Sequence, residues 1–297
     1  MTIDAKSIAR NQKKMTAKKN ETAGNHAIVV QNLEKVFGNI RAVDGISFSV
    51  PFGSTTALLG GNGAGKTTTL SMLLGILYPS AGSIAVLGHD MTNDRYAALE
   101  RMNFASPFTD LPRRLTVREN LTVYGRLYSV PDLRERIDEL AEGFVFTDFL
   151  DRHYGKISAG QQARVALAKS LLNKPDVLLL DEPTASLDPD MADKIRSYIE
   201  KYRKKTGATI LLASHNMPEV ERLCDNVLMM RQGKIVDVGA PQTLIHRYGL
   251  RNMEDVFLKV ARDHGKDKAV AALLQKKKKA APKKAATKKT AAKRRKG

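Results

Sequence analysis

The stretch that decides the fold is GGNGAGKTT, residues 60–68, which follows the apolar run STTALLG and precedes the helix-like run TTLSMLLGIL. It fits the pattern G-x-x-x-x-G-K-[ST] in its required setting, with a strand before it and a helix after it. Glycines permit backbone angles that turn successive N–H groups inward, and the N-terminus of the following helix adds partial positive charge. The stretch therefore predicts an anion site suited to phosphate groups.

Two side chains at the end of this loop carry the expected chemistry. Lys66 is placed to reach the β- and γ-phosphates of a nucleotide, and the Thr67 hydroxyl is placed to bind Mg²⁺. A plain Gly-rich turn is the weaker alternative, because the match is long and its context is right. The residues expected at the nucleotide are Gly60, Gly61, Asn62, Gly63, Ala64, Gly65, Lys66, Thr67 and Thr68. For Asn62 and Thr68 a purely structural place fits equally well.

A second apolar run, VLLLDEP at 177–183, ends in two adjacent carboxylates. Four apolar residues in a row are typical of a buried parallel strand. A carboxylate pair at a strand end is usually structural, but the upstream phosphate loop favours a functional interpretation. Because the two tasks differ, Asp181 would face Mg²⁺ and Glu182 would polarise the attacking water.

Taken in order, the motifs resemble those of the nucleotide-binding subunit of an ATP-binding-cassette (ABC) transporter, over about residues 28–260. GGNGAGKTT resembles its Walker A motif and VLLLDEP its Walker B motif, with Glu182 as the catalytic carboxylate. The resemblance implies an ATPase that uses ATP and Mg²⁺. It also implies that Phe37 stacks on adenine, that Asp188 lies in the D-loop, and that His215 hydrogen-bonds the γ-phosphate and helps to place the water.

Three of these residues have plainer interpretations. An aromatic residue such as Phe37 is more often part of a core than a nucleotide platform. Asp188 would serve equally well as the N-cap of the helix-like run that follows it, and a single histidine such as His215 at a strand end is usually structural. The expected order of the motifs favours the functional interpretation, with Asp188 at a dimer interface.

The run ISAGQQARVALAKSLL, which begins at Ile157, resembles the family signature that is usually written LSGGQ. In this family two subunits meet head to tail, and each signature covers the ATP held by the other's Walker A motif. The resemblance implies a homodimer with two ATPs, in which Ser158, Gly160 and Gln161 contact nucleotide across the interface. The alternative is a local N-capping turn that uses the same serine.

Three features depart from the family pattern. Ile157 and Ala159 replace the usual Leu and first Gly of the signature, and Gly61 stands where Pro is common. The third departure matters more, because MNFASPFTDLPRRLTVREN lacks the Q-loop glutamine and has Pro107 near the expected position. That glutamine normally touches Mg²⁺ or the attacking water and links the ATP site to the permease. We hypothesise that the Ser106 hydroxyl takes its place.

The formal net charge is +18, and nearly all of it lies near the two ends. Residues 276–297 carry twelve Lys and Arg and no acid, whereas residues 26–275 are almost neutral. Like charges without apolar residues are typical of disordered segments. Three interpretations fit: contact with anionic lipid, contact with nucleic acid, or a solubilising tail.

The predicted fold class is α/β, with a P-loop NTPase (ABC ATPase) core and an inserted helical subdomain. The predicted domains are a basic tail at 1–25, the ATPase domain at 26–265 with the helical subdomain at about 104–172, and a Lys/Ala-rich tail at 266–297. No run reaches the roughly 18 apolar residues needed to span a bilayer, and Cys224 alone cannot staple the fold. We expect a cytoplasmic protein that is peripheral at the inner face of the cell membrane.

The runs RLTVRENLTVYGRLY and NMEDVFLKVA resemble exporters of the ABC-2 group. This resemblance implies an integral-membrane permease as partner and transport outward. Two alternatives stay open: the basic tail favours a cassette ATPase acting on nucleic acid, and the missing glutamine favours a regulatory module that hydrolyses ATP weakly. The lack of long coiled-coil or zinc-hook insertions weighs against the first alternative.

Overall fold

The computed structural model describes residues 25–107 and 109–261. The basic tails predicted at 1–25 and 266–297 therefore lie outside the described residues, apart from Asn25. In the described part the strands are β1 (His26–Phe37), β2 (Ile40–Pro51), β3 (Thr55–Leu59), β4 (Ala81–Val86), β5 (His89–Asp90), β6 (Met102–Ala105), β7 (Val177–Asp181), β8 (Thr209–Ser214), β9 (Asn226–Arg231) and β10 (Lys234–Gly239).

The strands form two sheets. The larger has the order β10-β9-β3-β8-β7-β6, and its strands are parallel except β10, which pairs antiparallel with β9. The smaller is antiparallel, in the order β2-β1-β4-β5. Strands β3, β7 and β8 are buried over their whole length, which explains their nearly continuous apolar sequences. The predicted buried parallel strand at 177–180 is thereby confirmed.

Helices surround the larger sheet. Their bounds are α1 (Lys66–Leu73), α2 (Arg95–Leu99), α3 (Val117–Leu127), α4 (Leu133–Gly143), α5 (Ala159–Lys169), α6 (Pro189–Thr206), α7 (Met217–Leu223) and α8 (Pro241–Tyr248), and residues 253–261 are also helical. None of these helices is long and apolar enough to cross a bilayer, as far as the described residues go.

The described residues form two hydrophobic cores. Successive side chains of β3 point alternately into one core and the other. Leu58 faces a core that contains α1 and the antiparallel sheet. Ala57 and Leu59 face the other core, which contains α3 to α8. The helical residues at 253–261 pack on that second core through Val256. The arrangement confirms the predicted α/β fold.

Local signals set the helix ends. Thr116 and Glu119 form a capping box at the start of α3, and Asp188 with Pro189 starts α6. Gly207 ends α6 in the left-handed conformation. The helices α3, α4 and α5 lie within the segment predicted as a helical subdomain, while β6 extends to Ala105, one residue past the predicted start at 104.

The carboxyl-terminal part also follows its sequence pattern. QGKIVDVGAPQTL, residues 232–244, forms the turn and second strand of the β9–β10 hairpin and the start of α8. Cys224 is buried, and that burial raises the pKa of its thiol.

Candidate nucleotide-binding site

The phosphate loop lies between β3 and α1, at the carboxyl edge of the larger sheet. Gly65 is the N-cap of α1 in the left-handed region with φ 103°, and no side chain caps this helix. A Cβ atom on Gly65 would lie 2.6 Å from the Ala42 carbonyl oxygen, and one on Gly60 would lie 2.5 Å from the Met230 carbonyl oxygen. Backbone approaches on both sides therefore require glycine at these two positions.

Lys66 folds beneath the loop. Its ammonium group donates to the Gly60 carbonyl at 2.6 Å and lies 3.4 Å from the Gly61 carbonyl oxygen, and its side chain is buried. No acidic side chain takes part in these contacts. The lysine is therefore held inside the loop by groups that a phosphate oxygen can replace.

The loop meets β7 at one hydrogen bond, in which the Thr67 hydroxyl donates to Asp181 Oδ2 at 3.2 Å. Burial raises the pKa of the Asp181 carboxyl, and Glu182 raises it further, whereas Thr67 and Lys66 lower it. A hydroxyl and a carboxylate side by side are oxygen donors of the kind Mg²⁺ takes together with phosphates and water. In the described residues, no cluster of three or more His, Cys, Asp and Glu side chains could hold a metal alone.

Glu182 and His215 lie close together on the neighbouring strand ends. His215 Nδ1 donates to Glu182 Oε1 at 2.6 Å, and the histidine side chain is 63% exposed. Glu182 has a positive φ of 48°, in the left-handed region that few non-glycine residues adopt. Its backbone N–H donates to the Ala213 carbonyl of β8 at 2.8 Å.

Strand register explains why these groups converge. Leu59 pairs with Ser214, and Asp181 pairs with Ala213, so β3, β7 and β8 end at the same level. The carboxyl ends of parallel strands form the usual ligand crevice of open α/β sheets. The structure thus brings together the phosphate loop, the Asp181–Glu182 pair and His215, which the sequence predicted separately.

The signature segment forms the N-terminus of α5. Ser158 Oγ accepts from the Gln161 N–H at 3.3 Å, and Gln161 Oε1 accepts from the Ser158 N–H at 2.9 Å, so the pair makes a capping box. A Cβ on Gly160 would lie 3.1 Å from the Ser186 carbonyl oxygen. No hydrogen bond between described residues joins Ser158 to the phosphate loop.

Two other predicted residues lie where they remain accessible. Phe37 ends β1 and is 47% exposed, with the Lys35 ammonium 5.1 Å from its ring centroid. Asp188 Oδ1 accepts from the Met191 N–H at 3.0 Å, which is the capping contact of the plainer interpretation. Neither observation tests adenine stacking or an interface role, which stay predictions.

Sequence reasoning missed several contacts that shape the site. One is a narrow cavity lined by Ser106, Pro107, Ala163 and Glu182, which connects the end of β6 with α5 and the Glu182 carboxylate. Another is Glu219, which accepts hydrogen bonds from Thr184 and Ser214, the neighbours of Glu182 and His215. The available sequence signal was that Glu219 follows His215 by four residues. A glutamate in the first turn of a helix, however, indicates only a contribution to helix capping.

Comparisons with known proteins agree with this geometry. The family model described as ABC transporter matches residues 43–185. The Nod factor export ATP-binding protein I of Burkholderia lata is 41% identical over 221 residues, which cover 72% of this chain and 71% of that protein. The structure of cbiO1 from Clostridium perfringens, part of the ABC transporter complex cbiONQ, is 29% identical with a TM-score of 0.65, over 75% of this chain and 91% of that one. The dimeric structure of MJ0796, a bacterial ABC transporter cassette, is 23% identical with a TM-score of 0.67, over 72% of this chain and 98% of that one.

The sheet order and the Thr67–Asp181 contact define a P-loop nucleotide-binding protein. The extent of the sequence similarity goes further: the chain belongs to the ABC transporter family. It is an ATP-binding subunit of a transporter and an ATPase.

Proposed function

We propose that two copies of this chain close around two ATP molecules and drive export through a separate integral-membrane permease. The observation that carries the ATPase site is the convergence of Lys66, Asp181 and the Glu182–His215 pair at one sheet edge. The export direction is supported by the relative from Burkholderia lata, which is named as an export ATP-binding protein.

In the proposed reaction, Glu182 accepts hydrogen bonding from the attacking water and takes its proton. The water oxygen bonds to the γ-phosphorus, the bond to the bridging oxygen breaks, and ADP and inorganic phosphate leave. His215 donates to Glu182 in the present structure and is exposed enough to turn to the γ-phosphate. Lys66 holds the β- and γ-phosphates.

Mg²⁺ fits the donors at the end of the loop. Thr67 and Asp181 would hold it, with the remaining ligands from phosphate and water. When bound, the ion neutralises charge that develops on the phosphate oxygens. Without it, two carboxylates, Asp181 and Glu182, would face the triphosphate.

The dimer is proposed because the signature segment is exposed and because Ser158 makes no hydrogen bond to its own phosphate loop among the described residues. Ser158 and Ala159 are exposed at the N-terminus of α5, where two-fold pairing would place them on the ATP of the partner. The exposed N-terminus of a helix suits the γ-phosphate. Gly160, Gln161 and Asp188 would lie at the same interface.

The decisive test of hydrolysis is Glu182→Gln in the full chain. Removing the base should lower kcat by roughly 10³-fold, because general base catalysis contributes 10²–10⁴-fold. ATP affinity should be retained, since the phosphate loop is intact. Glu142→Gln, an exposed glutamate on α4, is the control and should behave as wild type. Equal turnover in Glu182→Gln and wild type would favour the regulatory alternative.

The permease is tested by purification from membranes. We expect a polytopic membrane protein to co-purify with the chain and to place it at the inner membrane face. Deleting residues 276–297 tests the alternative in which the chain is an ATPase that acts on nucleic acid. Such a protein should lose the salt-sensitive stimulation of its ATPase activity by DNA when the basic tail is removed. Contact of the tails with anionic lipid would instead show as weaker vesicle binding after the same deletion.

A further inference from the structure

Glu219 is a carboxylate in the first turn of α7, and it is only 1% exposed. Its Oε1 accepts from the Thr184 hydroxyl at 2.9 Å, and its Oε2 accepts from the Ser214 hydroxyl at 2.7 Å. Burying a carboxylate costs free energy unless hydrogen bonds compensate for lost water. Here each oxygen has a hydroxyl donor, so the group is held in one position.

The two hydroxyls belong to the two segments that carry the catalytic pair. Thr184 follows Glu182 by two residues, and Ser214 directly precedes His215. Ser214 Oγ also accepts from the Asn216 N–H at 3.0 Å, on the other side of the histidine. Glu219 therefore links the ends of β7 and β8 inside the protein, while the Glu182–His215 contact links them at the surface.

The backbone conformation of Glu182 indicates what this link stabilises. Its φ of 48° is unfavourable for a residue with a Cβ and persists only where surrounding contacts enforce it. The Ala185 N–H to Glu182 carbonyl bond and the Thr184–Glu219 bond are two such contacts. Loss of the Thr184 anchor should let the turn relax and move the catalytic carboxylate.

We propose that Glu219 is a positioning residue for ATP hydrolysis: it holds Glu182 and His215 in register through Thr184 and Ser214. The inference rests on the proposed role of Glu182 as the base. Glu219 itself does not touch nucleotide, because it lies buried behind the strand ends. Its burial raises the pKa of its carboxyl, while the two hydroxyls and Arg196 oppose that shift.

The test measures kcat, KM and nucleotide affinity for full-length variants. Glu219→Ala should lower kcat on the order of 10²-fold, since a displacement of about 1 Å has that cost. Its affinity for ATP should stay within about twofold, because the phosphate loop makes those contacts. Glu219→Gln can keep both contacts if one hydroxyl rotates to accept, so kcat should recover to within about fivefold of wild type.

The matched control is Glu221→Ala on the same helix. Glu221 accepts from the Met253 N–H and faces the helical residues at 253–261 instead of the strand ends. This control should keep the wild-type kcat. If Glu219→Ala does not fold, Thr184→Val removes one hydroxyl at nearly constant volume and should still lower kcat about tenfold.

A double mutant separates positioning from stability. In a Glu182→Gln background, adding Glu219→Ala should cost little further activity, because the base that Glu219 positions has already been removed. Full additivity would overturn the proposal, and so would an unchanged kcat in Glu219→Ala and Thr184→Val, provided that Glu182→Gln alone still lowers kcat roughly 10³-fold. If Glu182→Gln also turned over normally, the proposed hydrolytic site itself would be wrong.

Discussion

Two helix N-termini in this molecule are proposed to contact the phosphates of ATP, and they differ in their caps. The N-terminus of α1 follows Gly65 and has no side-chain cap. The N-terminus of α5 follows Ser158, whose hydroxyl and backbone N–H are both engaged by Gln161. Uncapped N–H groups at α1 are available to phosphate at once, whereas those at α5 already have partial satisfaction.

If both N-termini bind phosphate as proposed, the difference predicts two stages of binding. The α1 site is complete in one chain, because Lys66 and the glycine loop come from consecutive residues. In the single chain, the Ser158–Gln161 capping box already uses one N–H group at the N-terminus of α5. The free energy of phosphate binding there must therefore exceed the free energy that is lost with the cap, about 1 kcal/mol. A site shared between two chains, as proposed, requires a cap that phosphate can displace when the second chain binds.

The largest expected effect comes from Lys66→Ala, set against Ser158→Ala. Losing the charged hydrogen bonds to phosphate should weaken ATP binding to the single chain by about 2–3 kcal/mol, roughly 30- to 150-fold. Ser158→Ala should leave that affinity within about twofold. Fluorescent ATP titration at low protein concentration measures both. Equal losses in the two variants would mean that both helix ends bind nucleotide within one chain.

Gly65→Ala tests whether the α1 loop is rigidly prebuilt. Its φ of 103° and the Ala42 carbonyl oxygen 2.6 Å from the new Cβ should destabilise the fold by about 2 kcal/mol. Gly61→Ala is the control, since nothing lies within 4 Å of its Cβ. At the other helix, Gly160→Ala gains helix propensity against a 3.1 Å contact, so we expect a change below about 1 kcal/mol. Chemical denaturation reports all three, and a tolerated Gly65→Ala would contradict the rigid loop.

Mixing two inactive variants tests whether the two N-termini meet across a dimer. Lys66→Ala lacks its own phosphate site, and Ser158→Arg cannot cover the partner's ATP. Random pairing makes half of the dimers mixed with one intact site each, so the mixture should reach about a quarter of the wild-type rate. Wild-type turnover by Ser158→Arg on its own would show that each chain hydrolyses ATP alone, and a mixture as inactive as both parents would contradict the shared site.

Much of this site could be predicted because its motifs are local. The phosphate loop, the strand before Asp181 and Glu182, and the strand end before His215 each carry their signal within ten or so residues. Parallel pairing then brings them to one edge without further information. The cap of α5 by Ser158 was equally readable, as the plainer alternative to its role at the partner's ATP.

The rest could not be predicted because it depends on contacts between distant segments. The Met230 carbonyl that excludes a side chain from Gly60 is 170 residues away in sequence, and no local pattern announces it. The contact between Glu219 and Thr184 likewise forms only when β7 and β8 pair, because the two residues are 35 positions apart in the sequence. The hypothesis that Ser106 replaces the missing glutamine depends in the same way on contacts between distant segments.

Ser106 gives the smallest expected effect, and it lies at the end of β6 beside α5. Ala105 pairs with Leu180, so Ser106 follows at the level of Asp181, and it lines a narrow cavity with Glu182 and with Ala163 of α5. If its hydroxyl helps to hold the water or metal, Ser106→Ala should lower kcat about three- to fivefold, the value of one hydrogen bond near 1 kcal/mol. ATP affinity should not change, and Ser197→Ala on the distant surface of α6 should match wild type. A wild-type kcat in Ser106→Ala would leave the missing glutamine without a replacement and would make the two helix ends, with Glu182 and His215, sufficient for turnover.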